Sequence, residues 1–298
     1  MIKASPRTRI ALAAGAALAA LVASSAAWPQ AALPPGVQDL GRLENLAERS
    51  PEAAAFITGE TSDCPGCDLQ RANLARRDLT GANLAGADLT GSSFFRTILV
   101  GADLSGAILT GVTFSRAEMR GANFSGAKID GANLFDARAA QANFTDADLF
   151  GSNLRGGNFM AAIFDGAALT LADIRDANLA GASFVGADLR GVNGQLSTYT
   201  RINLEGVNLT RADFSLGALR GANFRNAILT GAIMVGTDLS GADFTDAVMI
   251  SVNLRTAITT NAIFTGADLS GAIMPGGQRN PIAEEEPTLE GEEAEPSP

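Results

Sequence analysis

From Leu69 to Met274 almost every fifth residue is a bulky apolar one: of the 42 positions in that series, 38 are Leu, Phe, Met or Ile. Few folds tolerate such a period. A helix turns about 100° per residue, so a repeat of five would carry the apolar stripe around the cylinder instead of holding it on one face. A flat strand alternates sides with period two, so an odd period would throw successive centres to opposite faces. The chain must therefore turn inside every unit.

The residues around each centre say how. Two positions before it the series holds 28 Ala, and the position between holds Asn or Asp 24 times, as in Ala82-Asn83-Leu84 and Ala122-Asn123-Phe124. Ala and the centre, two apart, point inward from a short extended piece while the residue between them points out. The remaining two residues form the corner, and Gly takes the second of them in about half of the units, where positive φ is cheap.

The Phe residues give the number of corners per circuit. Eleven centres are Phe, and seven of them fall on a single line spaced by twenty residues: Phe124, Phe144, Phe164, Phe184, Phe224, Phe244 and Phe264. Sorting the same eleven by every third unit gives a nearly flat distribution, so four sides are favoured over three. Twenty residues return each Phe above its predecessor at a strand spacing of about 4.8 Å, where rings stack in a ladder. A narrow square interior has room for one large side chain per side, which explains the Ala. The spacing predicts an all-β solenoid of about ten coils, roughly 50 Å long.

Runs such as Gly81-Ala82-Asn83-Leu84-Ala85-Gly86-Ala87-Asp88-Leu89-Thr90 resemble the pentapeptide-repeat family, over residues 68–274. The resemblance implies a right-handed quadrilateral parallel β-helix; the handedness rests on the resemblance alone.

Composition removes most chemistries. The chain has no His and two Cys, which excludes Ser-His-Asp and Cys-His nucleophiles, His-ligated haem and mixed Cys/His zinc sites. The reading is of a non-enzyme with no catalytic residues, no metal, no cofactor and no small-molecule substrate. The outward Asn and Asp suit local hydrogen bonds to backbone better than cation binding, and the sequons at Asn123, Asn143 and Asn208 are by-products of the repeat. Arg155, Arg175, Arg190, Arg211 and Arg220 are dispersed among acids; with no basic stripe interleaved with aromatics, nucleic acid is not expected as a partner.

The flanks carry their own signals. Lys3, Arg7 and Arg9 precede an uncharged run from Ile10 to Val22 and the small residues Ala23-Ser24-Ser25-Ala26-Ala27, in the order of a secretory signal. The run is short for a membrane span of about 20 residues, so residues 1–27 read as a signal peptide and the remainder as exported to the periplasm or cell envelope. Residues 28–67 form a lead-in: Leu40, Leu43 and Leu46 have helical spacing, and Ser50-Pro51-Glu52 is a helix start before Ala53 to Ile57. A helical cap there would cover the open strand edge of the first coil. Cys64-Pro65-Gly66-Cys67 adjoins the first unit, with Cys67 at an inward position. In an exported chain this reads as a structural disulfide; a Cys-x-x-Cys redox centre is the alternative. Residues 275–298 are an acidic tail with seven Glu and one Arg, expected to be disordered.

Ala139, Gly194 and Thr259 replace bulky centres, and the stretch from Asn193 to Tyr199 keeps the count without insertion, so the coil is expected to dent there, offering at most a small dimple. Near the end, Ile228, Ile233, Val248, Ile258, Ile263 and Ile273 take outward positions usually given to Asn or Asp. Exposed apolar residues mark interfaces, which points to a homodimer through the C-terminal coils, although their spread over four faces argues against one flat surface. Some pentapeptide-repeat members imitate duplex DNA and bind DNA gyrase. Here the repeat itself carries net −3, against about one charge per 1.7 Å for a duplex. The sequence therefore predicts a non-catalytic, exported structural or protein-binding solenoid with an unidentified protein partner. A thiol–disulfide redox protein and a DNA-mimicking gyrase-binding regulator are the alternatives. Cys-x-x-Cys ahead of the repeats also resembles cyanobacterial members, for which the compartment would be the thylakoid lumen.

Overall fold

The structure, a computed structural model, describes residues 49–281. The expected signal peptide, Leu40, Leu43 and Leu46, and the tail beyond Pro281 lie outside these residues.

Every fifth residue from Asp68 to Asn253 forms a parallel bridge with the residue twenty positions further on, in unbroken register to Ile273. The bridging residues are the outward Asn or Asp positions. Each circuit therefore has four sides, taken here in chain order from the first coil: side one centred on Leu69, side two on Leu74, side three on Leu79 and side four on Leu84. Backbone bonds tie each coil to the next, as in Leu84 N–H to Asp103 O at 2.7 Å and Asp103 N–H to Ala82 O at 2.9 Å.

The corners are all alike. The residue three after a centre donates its N–H to that centre's carbonyl, as Ala82 does to Leu79 at 3.1 Å. Positive φ occurs only at the second of the two residues between them, from Gly66 to Gly271 at every fifth position. That combination is a type II turn, which favours Gly at its third residue. Where Gly is absent, Arg, Asp, Leu and others adopt the same left-handed backbone: Leu171, Leu196 and Leu216 at φ 61°, 61° and 60°. Stacking overrides the local preference of these residues, at an expense of about 1 kcal/mol each.

The interior is filled by the centres and the Ala positions, nearly all fully buried. Where Ser or Thr replaces an inward Ala, the hydroxyl bonds the coil beneath: Thr97 Oγ1 to Leu74 O at 2.7 Å and Ser152 Oγ to Ile129 O at 2.6 Å. Among the described residues no buried side-chain nitrogen or oxygen lacks a partner, as a dry interior demands.

One helix precedes the coil, α1 (Pro51–Thr58). Ser50 accepts from Ala53 N–H at 3.2 Å, Pro51 sits where a missing N–H does no harm, and Gly59 ends the helix in the left-handed region. Ala53, Phe56 and Ile57 are buried in the same core as the first coil. None of the helices among the described residues is long and apolar enough to cross a membrane.

Candidate functional site

The surface of a stacked coil has four repeating sides and two ends, and the departures from the repeat lie on these. Inside, the line of side four stacks face to face. Ring centroids are 4.9 Å apart for Phe124–Phe144, 4.8 Å for Phe144–Phe164 and 4.6 Å for Phe164–Phe184, all within 7° of parallel. Leu204 interrupts the ladder, which resumes with Phe224–Phe244 at 4.6 Å and Phe244–Phe264 at 5.1 Å. These residues form core and present no surface.

The entry end is closed. Arg49 donates to Asp68 O at 2.8 Å, covering an edge carbonyl of the first coil. Arg77 occupies an inward position that later coils give to Ala. It reaches back to α1, donating to Phe56 O at 2.8 Å with its guanidinium 4.8 Å from the Phe56 ring centre. Cys64 and Cys67 are joined by a disulfide, Cα atoms 5.5 Å apart. Its loop lies on the coil, with Cys64 N–H bonded to Asn83 O and Gly66 N–H to Ala85 O, both at 2.8 Å. Both sulfur residues are buried.

The expected dimple at residues 193–199 is absent, and the physical reason is size exchange. Tyr199 is fully buried, its ring edge-on to Phe214 at 5.2 Å, and its hydroxyl donates to Gly194 O at 2.7 Å. A Cβ on Gly194 would lie 2.1 Å from that hydroxyl oxygen, so the phenol occupies the volume that a normal centre at 194 would fill. Burial pushes the Tyr199 phenol far above its ordinary pKa, and it stays neutral. A similar exchange operates where Phe159 fills the space beside Ala139: a Cβ on Gly157 would meet the Phe159 ring at 2.4 Å.

The outward carboxylates and amides are engaged locally. Asp78 Oδ1 accepts from Thr80 N–H at 3.0 Å and from its hydroxyl at 2.7 Å, and the same bond to the residue two ahead recurs at Asn143, Asp243 and many others. Amide ladders also run between coils, as in Asn123 to Asp103 and Asn143 to Asn123. A side-chain hydrogen bond from Arg175 holds the Asp173 carboxyl below the usual range, and Arg190 does the same for Asp188. Among the described residues no group of three or more His, Cys, Asp or Glu could hold a metal ion.

Arginine placement corrects the sequence reading. Arg76, Arg96 and Arg116, twenty residues apart, stand in one column on the corner between sides two and three, with Phe95 and Phe135 at the adjoining corner position in alternate coils. A basic stripe with aromatic interleaving is therefore present. The signal was the common spacing of twenty, which inspection for contiguous basic runs does not register.

The exit end is open. Residues 275–281 fold back on side two only, through Met274 N–H to Gln278 O and Asn280 N–H to Ala272 O, both 2.8 Å, and an antiparallel bridge of Ile273 with Arg279. On the other three sides no further coil follows among the described residues, and Thr259, Phe264 and Leu269 are only partly buried. Ile258 (51% exposed) and Ile263 (47%) border this end on sides three and four, and Ile273 borders it on side two. The spread over several faces is thus the rim of one terminal surface. Ile228 and Val248 are bridged on side one, and Ile233 lies two coils below Ile273. The half-buried last centres and the fold-back at 275–281 carry no periodic signal and were not anticipated.

Comparison with known proteins follows the geometry. The model for pentapeptide repeats matches eight copies across residues 64–258. HetL, a pentapeptide repeat protein involved in heterocyst differentiation regulation from the cyanobacterium Nostoc, is 32% identical over 78% of this chain and 99% of its own, with a TM-score of 0.41. A pentapeptide repeat protein of the Arabidopsis thaliana thylakoid lumen is 31% identical over 28% of this chain and 63% of its own, TM-score 0.26. QnrB1, a plasmid-mediated fluoroquinolone resistance protein, is 23% identical over 67% of this chain and 86% of its own, TM-score 0.26. The search of curated proteins found no match. With four corners per twenty-residue circuit, unbroken parallel register and the family model spanning most of the coil, the chain belongs to the pentapeptide-repeat family and has its right-handed β-helix fold.

Proposed function

We propose that this chain is a non-catalytic, exported, protein-binding solenoid of the bacterial cell envelope, and that it self-associates through the end where the coil stops. The observation that carries this reading is the contrast between the two ends. α1, Arg49, Arg77 and the Cys64–Cys67 loop close the entry, while the exit presents Phe264 and Leu269 half-buried inside a rim of Ile258, Ile263 and Ile273. A closed entry blocks head-to-tail stacking. Two identical exits can meet about a two-fold axis, which ends in a closed dimer and not a fibre. Apolar rims of this kind are typical of association surfaces.

Export is supported by the order of basic, apolar and small residues in 1–27 and by a disulfide, which persists in oxidising compartments. On this reading residues 28–67 are the lead-in and cap, 68–274 the coil and 275–298 an acidic tail. The periplasm is the compartment, or the thylakoid lumen if the source is cyanobacterial. Burial of both Cys disfavours thiol–disulfide exchange as the function, because a redox centre needs an accessible sulfur. The net −3 of the repeat and its arginine column disfavour imitation of a duplex.

Sedimentation velocity of the full chain tests the reading. The wild type is expected to dimerise, and Ile258→Glu with Ile263→Glu to weaken dimerisation at least tenfold while leaving the circular dichroism unchanged. A wild type that stays monomeric at every concentration, or a double variant that dimerises as well as the wild type, refutes it.

A further inference from the structure

We infer that the arginine-lined groove on the corner between sides two and three is a binding site for an acidic peptide segment, and that its occupant is the chain's own segment 282–298. The groove, about 680 Å³, is bordered by Arg96, Arg116, Arg138, Asp136 and Asn158, with Gly156 at its floor. That volume falls within the range of ligand clefts. Three guanidinium groups face one carboxylate.

Their present partners are weak. Arg96 has its guanidinium 5.2 Å from the Phe95 ring centre and forms no ion pair among the described residues. Arg116 reaches Asp136 at 3.4 Å and Arg138 reaches Glu118 at 3.5 Å, with side chains 49% and 74% exposed. Exposed pairs at such distances are worth about 0–1 kcal/mol. Further along the same corner the arginines are committed: Arg155 to Asp176 at 3.0 Å, and Arg175 to Asp173 in a two-point pair at 2.9 and 2.6 Å. The groove is therefore the stretch of this corner where guanidinium donors are available. Arg76, Arg96 and Arg116 also hold left-handed corners at φ 60°, 56° and 59°, positions that Gly fills with less strain. Guanidinium forks match carboxylates in two-point geometry and keep their charge at any physiological pH. Phe95 and Phe135 beside them favour a ligand that mixes acidic and apolar residues.

The segment after Pro281 has that composition: Glu284, Glu285, Glu286, Leu289, Glu290, Glu292, Glu293 and Glu295, with no basic residue. It leaves the coil where Gly271 N–H bonds Pro281 O, on the corner adjoining side two. The groove lies about six coils back, roughly 29 Å at the strand spacing. Ten residues of chain span up to about 33–36 Å, so Glu290 to Glu295 can reach it. Tethering supplies a millimolar-range effective concentration.

The test uses the full chain in two forms, wild type and a neutral-tail variant in which all seven Glu of 284–295 are Gln. A fluorescein-labelled peptide with the sequence of residues 282–298 is titrated by anisotropy at low salt. The neutral-tail variant is expected to bind it at least tenfold more tightly than the wild type, whose own segment competes. Adding Arg96→Gln, Arg116→Gln and Arg138→Gln to the neutral-tail variant is expected to abolish binding, whereas adding Arg190→Gln on side one's far corner leaves it intact. No binding to the neutral-tail variant, or equal binding with and without the three arginines, overturns the site. Equal binding by wild type and neutral-tail forms overturns the assignment of the occupant.

Discussion

Replacing Phe164 by Leu removes two face-to-face contacts at once, with Phe144 at 4.8 Å and Phe184 at 4.6 Å, together with a tilted contact to Phe159 at 5.8 Å. Phe184→Leu removes one stacked contact, because Leu204 already lies on its other side. Leu is the commonest centre elsewhere in the coil, so the site accepts it without a polar mismatch and the loss isolates the ring contacts. Each aromatic pair contributes about 0.5–1.5 kcal/mol beyond area burial. Phe164→Leu should therefore destabilise by roughly 1–3 kcal/mol and Phe184→Leu by roughly half as much. A solenoid can unfold in pieces, so a global urea midpoint should be accompanied by native-state hydrogen exchange of the amides at Phe164 and Phe184. These are bonded to Ser183 O and Asn203 O in the next coil. If Phe184→Leu loses as much as Phe164→Leu, stacking between coils is not what these rings contribute, and simple volume filling is.

Three further expectations concern other parts of the coil. Gly194→Ala forces its new Cβ onto the Tyr199 hydroxyl and should destabilise by about 1–3 kcal/mol; Tyr199→Leu in the same chain should relieve most of that, a non-additivity read from a double-mutant cycle in urea. Asp173, Asp188 and Asp243 have carboxyls held below the ordinary value of 3.8 by side-chain hydrogen bonds from Arg175, Arg190 and Thr245. A depressed native pKa adds stability that is present above 3.8 and lost as pH falls through the lower native value. The melting temperature should drop as pH is lowered from 5 to below 3.8, and Asp173→Asn, which keeps the acceptor oxygen, should flatten that slope. A slope unchanged in the variant contradicts the assignment. Reducing Cys64–Cys67 opens a very short loop, for which the chain-entropy relation gives about 2 kcal/mol. The loss should be confined to the entry: faster exchange at the Cys64 and Gly66 amides, with Phe164 unchanged. Global unfolding on reduction would show that the entry nucleates the whole coil.

The core was legible because its information is periodic. Placing Leu or Phe at every fifth residue and seven Phe at intervals of twenty leaves the backbone only one way to bury them, and the bridges between residues twenty apart run in that register. The irregular features were not legible in the same way. Tyr199 has no local sign that it fills the volume missing at Gly194, since the two meet only after the corner between them is made. The column of Arg76, Arg96 and Arg116 exists only once coils are superposed. Left-handed Leu196 and Leu216 contradict their own backbone preference, because each corner is imposed by the coils on either side.

What the sequence determined by itself is the period, the number of sides and the identity of the inward residues, since these follow from the spacing of apolar side chains and the reach of five residues. The tertiary structure decided which outward residues stand together, how the anomalous centres exchange volume, and that the entry is covered while three sides of the exit stay bare. The reason is that a repeat specifies the contacts of a coil with its neighbours. At the ends one neighbour is missing, and on the corners side chains from different coils meet only through the register that stacking creates.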